Sequence, residues 1–213
     1  MFRQRYGREI IVYNDIHDRT PSIYEAHAAG FDRHRHRVMI EKNWLDRFVA
    51  KLPEDPDVLD LGCGAGEPVA EYLLKSGCSL TGADISRAMI EISSGRFPES
   101  EWIVMDMRQW TIDRSFDGVV AWDSFFHLNR DEQRAVLPVM ADHVRPGGAL
   151  LVTVGHEDGE VLGTVEGNDV YHASLSADEY RRILRECGFR RIEMVLEDEA
   201  CDFHSVVLAS ELQ

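Results

Sequence analysis

No apolar run in the 213-residue chain approaches the ~20 residues that cross a bilayer; the longest strongly apolar stretch is Ala149 to Val154. Cysteine is scarce as well. Four thiols (Cys63, Cys78, Cys187 and Cys201) spread over this length make no disulfide framework. Positive charge is in short supply: 23 Lys+Arg stand against 38 Asp+Glu, a net charge of −15. That balance repels a phosphate backbone and argues against a nucleic-acid partner. The opening residues MFRQRYGREIIVYND start basic, but they have no sustained apolar core and no small-residue cleavage site, so they do not read as a secretory leader. Together these absences predict reduced thiols, no membrane span and a cytoplasmic setting.

What remains, 44% hydrophobic and 29% charged residues, is the profile of a folded globular protein. The length suits a single α/β domain over 1–213. Residues 1–20 read as a polar arm. Pro21 and Ser22 then open a helical cap over 21–52, with an interruption expected near Gly30, and Pro53–Pro56 stops it. The core over 53–213 alternates short apolar strands at Val58–Leu61, Ser79–Ala83, Trp102–Val104, Asp117–Ala121 and Ala149–Val154 with helical patterns at Val69–Lys75, Ala88–Arg96 and Asp131–Val144. Strands separated by helices predict a parallel sheet buried on both faces. Pro146-Gly147-Gly148 reads as a helix stop before the fifth strand.

Beyond Val154 the alternation ends. A hairpin turning at Glu166–Asp169 is expected within an insertion near 156–172, followed by a helix over Ala177–Cys187. The two final strands, Arg191–Leu196 and Ser205–Ala209, lie too close in sequence for a parallel crossover and must pair antiparallel.

The chemistry concentrates in Val58-Leu-Asp-Leu-Gly62-Cys-Gly64-Ala-Gly66-Glu67-Pro68, an apolar strand running through a glycine turn into a helix. Glycines let a ligand approach the backbone closely. The spacing is G-x-G-x-G rather than G-x-G-x-x-G, and Glu67 stands where a dinucleotide site has its third glycine. A carboxylate there would repel pyrophosphate and tolerate an ammonium or sulfonium. Asp84 ends the next strand, placed to accept from ribose hydroxyls. Asp106 ends the third, placed to accept from an adenine amino group, with Ile85 and Met107 flanking the ring.

Taken in order, VLDLGCGAGEP, GADIS, IVMDM, FDGVVAWDSFFHL and RPGGALLVTV resemble the five motifs of the class I S-adenosylmethionine-dependent methyltransferases, from about Tyr24 to the C-terminus. The resemblance implies a Rossmann-like, doubly wound, seven-stranded sheet, mostly parallel with the last strand antiparallel, plus N-terminal helices. It also implies S-adenosylmethionine as cofactor, S-adenosylhomocysteine as product and a small-molecule methyl acceptor. By motif position, Asp60, Gly62 and Gly64 would hold the methionine amino end, and Asp84 the ribose with Ile85 and Met89 nearby. Asp106 and Met107 would read adenine, Ala121 and Trp122 would line the site, and Tyr24 would close over the methionine carboxylate.

An oxygen or nitrogen acceptor can require a general base, and histidine has the matching pKa. His127, just past the fourth strand, and His172, after the hairpin, are the candidates. A cation site built from Asp123 with Glu157 and Asp158 is one alternative, and Cys201 with His204 is half a zinc set; neither completes a ligand spacing, so no metal is assigned. His34-Arg35-His36-Arg37 is the one basic cluster. A nicotinamide oxidoreductase and a non-catalytic nucleoside-binding module are the competing functions.

Overall fold

The computed structural model describes residues 3–6, 9–35 and 38–213; His36 and Arg37 of the basic cluster lie outside the described residues. A two-stranded antiparallel ribbon, β1 (Arg3–Tyr6) and β2 (Glu9–Val12), precedes α1 (Tyr13–His34) and α2 (Lys42–Val49). The alternating core follows: β3 (Asp57–Leu61), α3 (Val69–Lys75), β4 (Ser79–Asp84), α4 (Arg87–Arg96), β5 (Glu101–Val104), β6 (Phe116–Ala121), α5 (Arg130–Asp142) and β7 (Val144–Val154). Then come the hairpin β8 (Gly159–Val165) and β9 (Asn168–Ser174), α6 (Ala177–Glu186), β10 (Phe189–Asp198) and β11 (His204–Leu212).

Seven strands form one sheet in the order β10-β11-β7-β6-β3-β4-β5. β3 to β7 pair in parallel, whereas β11 runs antiparallel to both β7 and β10 and lies between them. Strand alternation sends neighbouring residues to opposite faces. Leu59, Val119 and Leu150 join a core with Leu137 and Met140 of α5 and Leu184 of α6. Val58, Val120 and Leu151 join another with Trp44 and Phe48 of α2 and Leu73 of α3. The sheet is thus covered on both faces, as its near-continuous apolar strands require.

Three local expectations are corrected. The helix expected from Pro21 starts at Tyr13, inside the stretch read as a polar arm. The Pro21 ring removes one backbone donor, and hydroxyls on either side bond helix carbonyls: Thr20 to Ile16 (2.9 Å) and Ser22 to Arg19 (2.7 Å). Gly30 does not break α1. Its missing side chain makes room for the hairpin turn, because an added Cβ would lie 3.0 Å from Glu166 Oε2. Finally, Pro146-Gly147-Gly148 lies inside β7, where a register shift against β6 absorbs it.

α1 and the hairpin together roof the carboxyl ends of β3, β4 and β6. Tyr13 and Ile16 of α1 bury Tyr171 and Ala173 of β9, and the Tyr171 N–H donates to Thr20 Oγ1 (3.0 Å). On the other side Glu25 accepts from Ser86 Oγ (2.6 Å) and the Ala88 N–H (3.1 Å), tying α1 to the start of α4. Asp32 receives two bonds from Arg96 (3.0 and 2.9 Å). No described helix is long and apolar enough to cross a membrane.

Candidate active site

Under this roof lies a cavity of about 360 Å³, within the size range of small-molecule sites. Gly62 and Gly64 form its floor, both with left-handed φ (76° and 53°). The two glycines serve different ends. A Cβ on Gly62 would collide with Ser124, whose hydroxyl donates to the Leu61 carbonyl (2.7 Å) and locks the turn against the segment after β6. A Cβ on Gly64 would meet nothing within 4 Å, so that space is open to a ligand.

Asp84 enters from the end of β4. Its Oδ2 accepts from the Gly64 N–H (2.9 Å) and its Oδ1 from the Ser86 N–H (2.8 Å), so the carboxylate fixes both the glycine turn and the start of α4. Burial raises its pKa. Ile85 and Met89 line the same wall. Asp106 and Met107 follow β5, and Arg108 clamps Asp106 through Nε (2.9 and 3.0 Å) and an amino group (2.7 Å). Arg108 also reaches Glu132 (3.2 Å), whose second oxygen takes His17 Nε2 (2.8 Å). The resulting chain from α1 to β5 closes one end of the cavity.

Tyr24 of α1 and His127 meet at the other end. The Tyr24 hydroxyl donates to His127 Nε2 (3.0 Å), and His127 Nδ1–H donates to the Tyr171 carbonyl (2.9 Å). Burial holds His127 neutral, with its pKa lowered to about 4. Both ring nitrogens are therefore engaged within the protein. His172 packs 4.9 Å from His127 and lines the cavity without a hydrogen bond to either of its nitrogens. Desolvation lowers its pKa too, so it is a neutral imidazole with a free lone pair.

Of the residues singled out in the sequence, Asp60 and Ala121 do not line the cavity. Ala121 belongs to the core on the α5 side of the sheet, while its neighbour Trp122 faces the cavity. Asp60 lies beneath the glycine turn, 2% exposed, with Oδ2 lacking any hydrogen-bond partner. Burial lifts its carboxyl to about 7. Glu67 faces away from the cavity, 3.4 Å from Arg96 Nε, so its charge is met by protein rather than ligand. Arg35 of the basic cluster lines the cavity, whereas His34 pairs with Glu166 at the hairpin tip (2.9 Å). Among the described residues, no group of three or more His, Cys, Asp or Glu could hold a metal ion. Asp123 pairs with His204 (3.1 Å) and Asp158 with Arg130 (2.7 Å).

Residues 58–148 match the methyltransferase-domain family. This stretch, which carries the glycine turn, Asp84 and Asp106, is thus similar to methyltransferase domains. Among methyltransferases of known sequence, the chain is 29% identical over 150 residues to an O-methyltransferase of Pyrenophora dematioidea, a match covering 65% of this chain and 55% of that one. It is 30% identical over 109 residues to the dTDP-3-amino-3,4,6-trideoxy-alpha-D-glucopyranose N,N-dimethyltransferase of Streptomyces venezuelae, covering 50% and 46%. The chain thus spans about half the length of the curated relatives it matches. The methyltransferase fold is shared with the S-adenosylmethionine-bound amino pentose methyltransferase CalS10 of Micromonospora echinaspora (TM-score 0.66, 19% identity, 89% of this chain and 96% of that one).

Two features of the cavity suit a nucleoside with a cationic amino-acid tail. Gly64 leaves space open above the turn, and the buried Asp60 Oδ2 beneath it lacks a hydrogen-bond partner. Sequence reasoning missed His17, Arg108 and the Asp123–His204 pair as parts of the site. Arg108, two residues past Asp106, carried a local signal; His17 and His204 carried none, because only the packing of α1 and the register of β11 bring them in.

Proposed function

We propose that the protein transfers a methyl group from S-adenosylmethionine to an oxygen or nitrogen of a small molecule. The observation that carries this reading is the single cavity into which Gly62, Gly64, Asp84 and Asp106 converge from the ends of three parallel strands. When bound, the cofactor supplies a methyl group on a sulfonium, open to in-line displacement. Asp84 would accept from the ribose and Asp106 from the adenine amino group. Ile85 and Met107 offer apolar surface to the ring, and Met89 lines the same cavity. Gly62 and Gly64 would hold the amino end, with the Asp60 carboxyl buried beneath them, and Tyr24 with Arg35 would cover the carboxylate end.

The chain's part in the reaction is then alignment, water exclusion and proton removal. Alignment can supply ~7–11 kcal/mol of a barrier, and a positioned base about 10²–10⁴-fold in rate. His172 suits the base better than His127, because its nitrogens are free and it stays neutral at working pH. His127 would instead hold the Tyr24 hydroxyl in place. The relatives include both an O- and an N-methyltransferase, which fits either acceptor atom.

S-adenosylhomocysteine at ~100 times its dissociation constant adds roughly 2.7 kcal/mol to stability, about 5–10 °C in melting temperature for a domain of this size. NAD should give no shift. The reverse pattern would refute the cofactor reading, and failure to move labelled methyl from S-adenosylmethionine onto any metabolite-extract component would refute catalysis.

A further inference from the structure

Beside the nucleoside cavity lies a second, outer cleft of about 510 Å³, and Phe126, His172 and His204 wall both. Asp123 lines the first cavity and not the outer one, so the shared wall of Phe126, His172 and His204 is where an acceptor entering through the outer cleft would reach it. His204 is tightly held. Its Nδ1–H donates to the Cys201 carbonyl (2.7 Å), its Nε2 lies 3.1 Å from Asp123 Oδ1 in an ion pair, and its ring stacks on Trp122 (5.7 Å between centroids, 23°). Nδ1 donates to a carbonyl and Nε2 faces a carboxylate, surroundings that favour an imidazolium.

Asp123 is equally constrained. Its backbone is left-handed (φ 50°), and its N–H donates to Thr153 Oγ1 (2.8 Å). Asp202 and Phe203, also left-handed (φ 49° and 58°), form the turn that delivers His204. Non-glycine residues in this region cost roughly 1–3 kcal/mol each and persist where surrounding contacts enforce them, often at functional sites. Asp123 Oδ1 is buried, yet the side chain is 33% exposed. The exposed remainder of the side chain lies on the cavity that Asp123 lines.

The outer cleft adds a charge preference. Glu157, Asp158, Glu160 and Asp202 line it against the cation His204, and with Asp158 paired to Arg130 the cleft keeps a negative excess. A cleft of one sign concentrates ligands of the other and excludes those of its own.

We propose that Asp123 Oδ2 receives the N–H of the methyl acceptor, that this acceptor is a primary or secondary amine, and that His204 is the positioning residue fixing Asp123 through Oδ1. This rests on the methyl-transfer reading above and assigns the acceptor class within it. An ammonium or amine donating to a carboxylate makes the stronger, charge-assisted bond. A hydroxyl would gain only the neutral-donor version, and a carboxylate or phosphate acceptor would be repelled.

The test uses three probes of one shape, benzylamine, benzyl alcohol and benzoate, each titrated by NMR into protein saturated with S-adenosylhomocysteine. Benzylamine should bind, benzyl alcohol roughly fivefold more weakly, and benzoate not at all. Asp123→Asn should weaken benzylamine about tenfold and leave benzyl alcohol nearly unchanged. His204→Gln should weaken benzylamine several-fold, with no further loss when added to Asp123→Asn, a non-additivity that a purely structural role would not produce. Each variant is titrated at its own saturating S-adenosylhomocysteine concentration, because Asp123 and His204 also line the first cavity. Benzylamine binding that ignores Asp123→Asn, a preference for benzoate, or no benzylamine binding by the wild-type complex would each overturn the proposal. Loss of S-adenosylhomocysteine binding by the wild type would instead overturn the cofactor reading.

Discussion

Replacing Asp60 by Asn should stabilise the fold, and by an amount that depends on pH. The Asp60 side chain is buried with Oδ2 unpartnered, and its carboxyl is pushed up to about 7. In the unfolded chain it would titrate near 3.9. A gap of about 3 pH units at 1.36 kcal/mol each comes to about 4 kcal/mol. The sign follows from proton uptake on folding. The protonated group's contribution is fully present below about pH 4 and is lost as pH rises through about 7. Asn, close to the same shape, never ionises. Urea unfolding of both proteins at matched ionic strength from pH 4 to 7.5 should show the variant gaining on the wild type by about 4 kcal/mol across that window. A difference that stays flat with pH would refute the reasoning. A ligand cation placed near Asp60 would favour its ionised form. Calorimetry at pH 6 in two buffers of different ionisation enthalpy should therefore show proton release on S-adenosylmethionine binding in the wild type and none in Asp60→Asn.

The two turn glycines should separate folding from binding. Gly62→Ala drives a methyl into Ser124 and should cost roughly 2–5 kcal/mol of stability. Gly64→Ala should cost about 1–2 kcal/mol yet abolish measurable S-adenosylhomocysteine binding by calorimetry. Tyr24→Phe leaves the buried Nε2 of His127 without its donor, and the denaturation midpoint should report a loss of about 1–3 kcal/mol. His204, raised to about 9 chiefly by its bond to Asp123, contributes stability that is complete below about pH 6.5 and lost as pH rises through 9. Melting temperatures of wild type against His204→Gln should converge across that range.

The sheet was legible because its strands are short apolar runs that cannot be solvated on either face, and β11 was read as antiparallel from the brevity of the loop before it. Strand tips carried the site for the same reason: Asp84 and Asp106 are charged residues ending apolar runs, and both reach the cavity. α1 was misread because Pro21 and Gly30 look like punctuation when no partner is in view. Thr20, Ser22 and Glu166 supply the context that makes both acceptable within a helix. Ala121 was placed at the cavity by motif position, but strand alternation sends it to the opposite face from Trp122. Asp123 and His204 are 81 residues apart, and only the pairing of Ser205 with Val154 makes them neighbours.

The seat of β11 between β7 and β10 matters during synthesis. β10 has no other partner in the sheet, so while residues 204–212 are still in the ribosomal exit tunnel, two strand edges wait with unpaired backbone groups. Such edges are templates for wrong pairing with neighbouring chains. A nascent copy is thus vulnerable to aggregation until β11 has emerged and paired, and a substitution that slows the closure of β11 would reduce yield in the cell even where the finished protein is as stable as before.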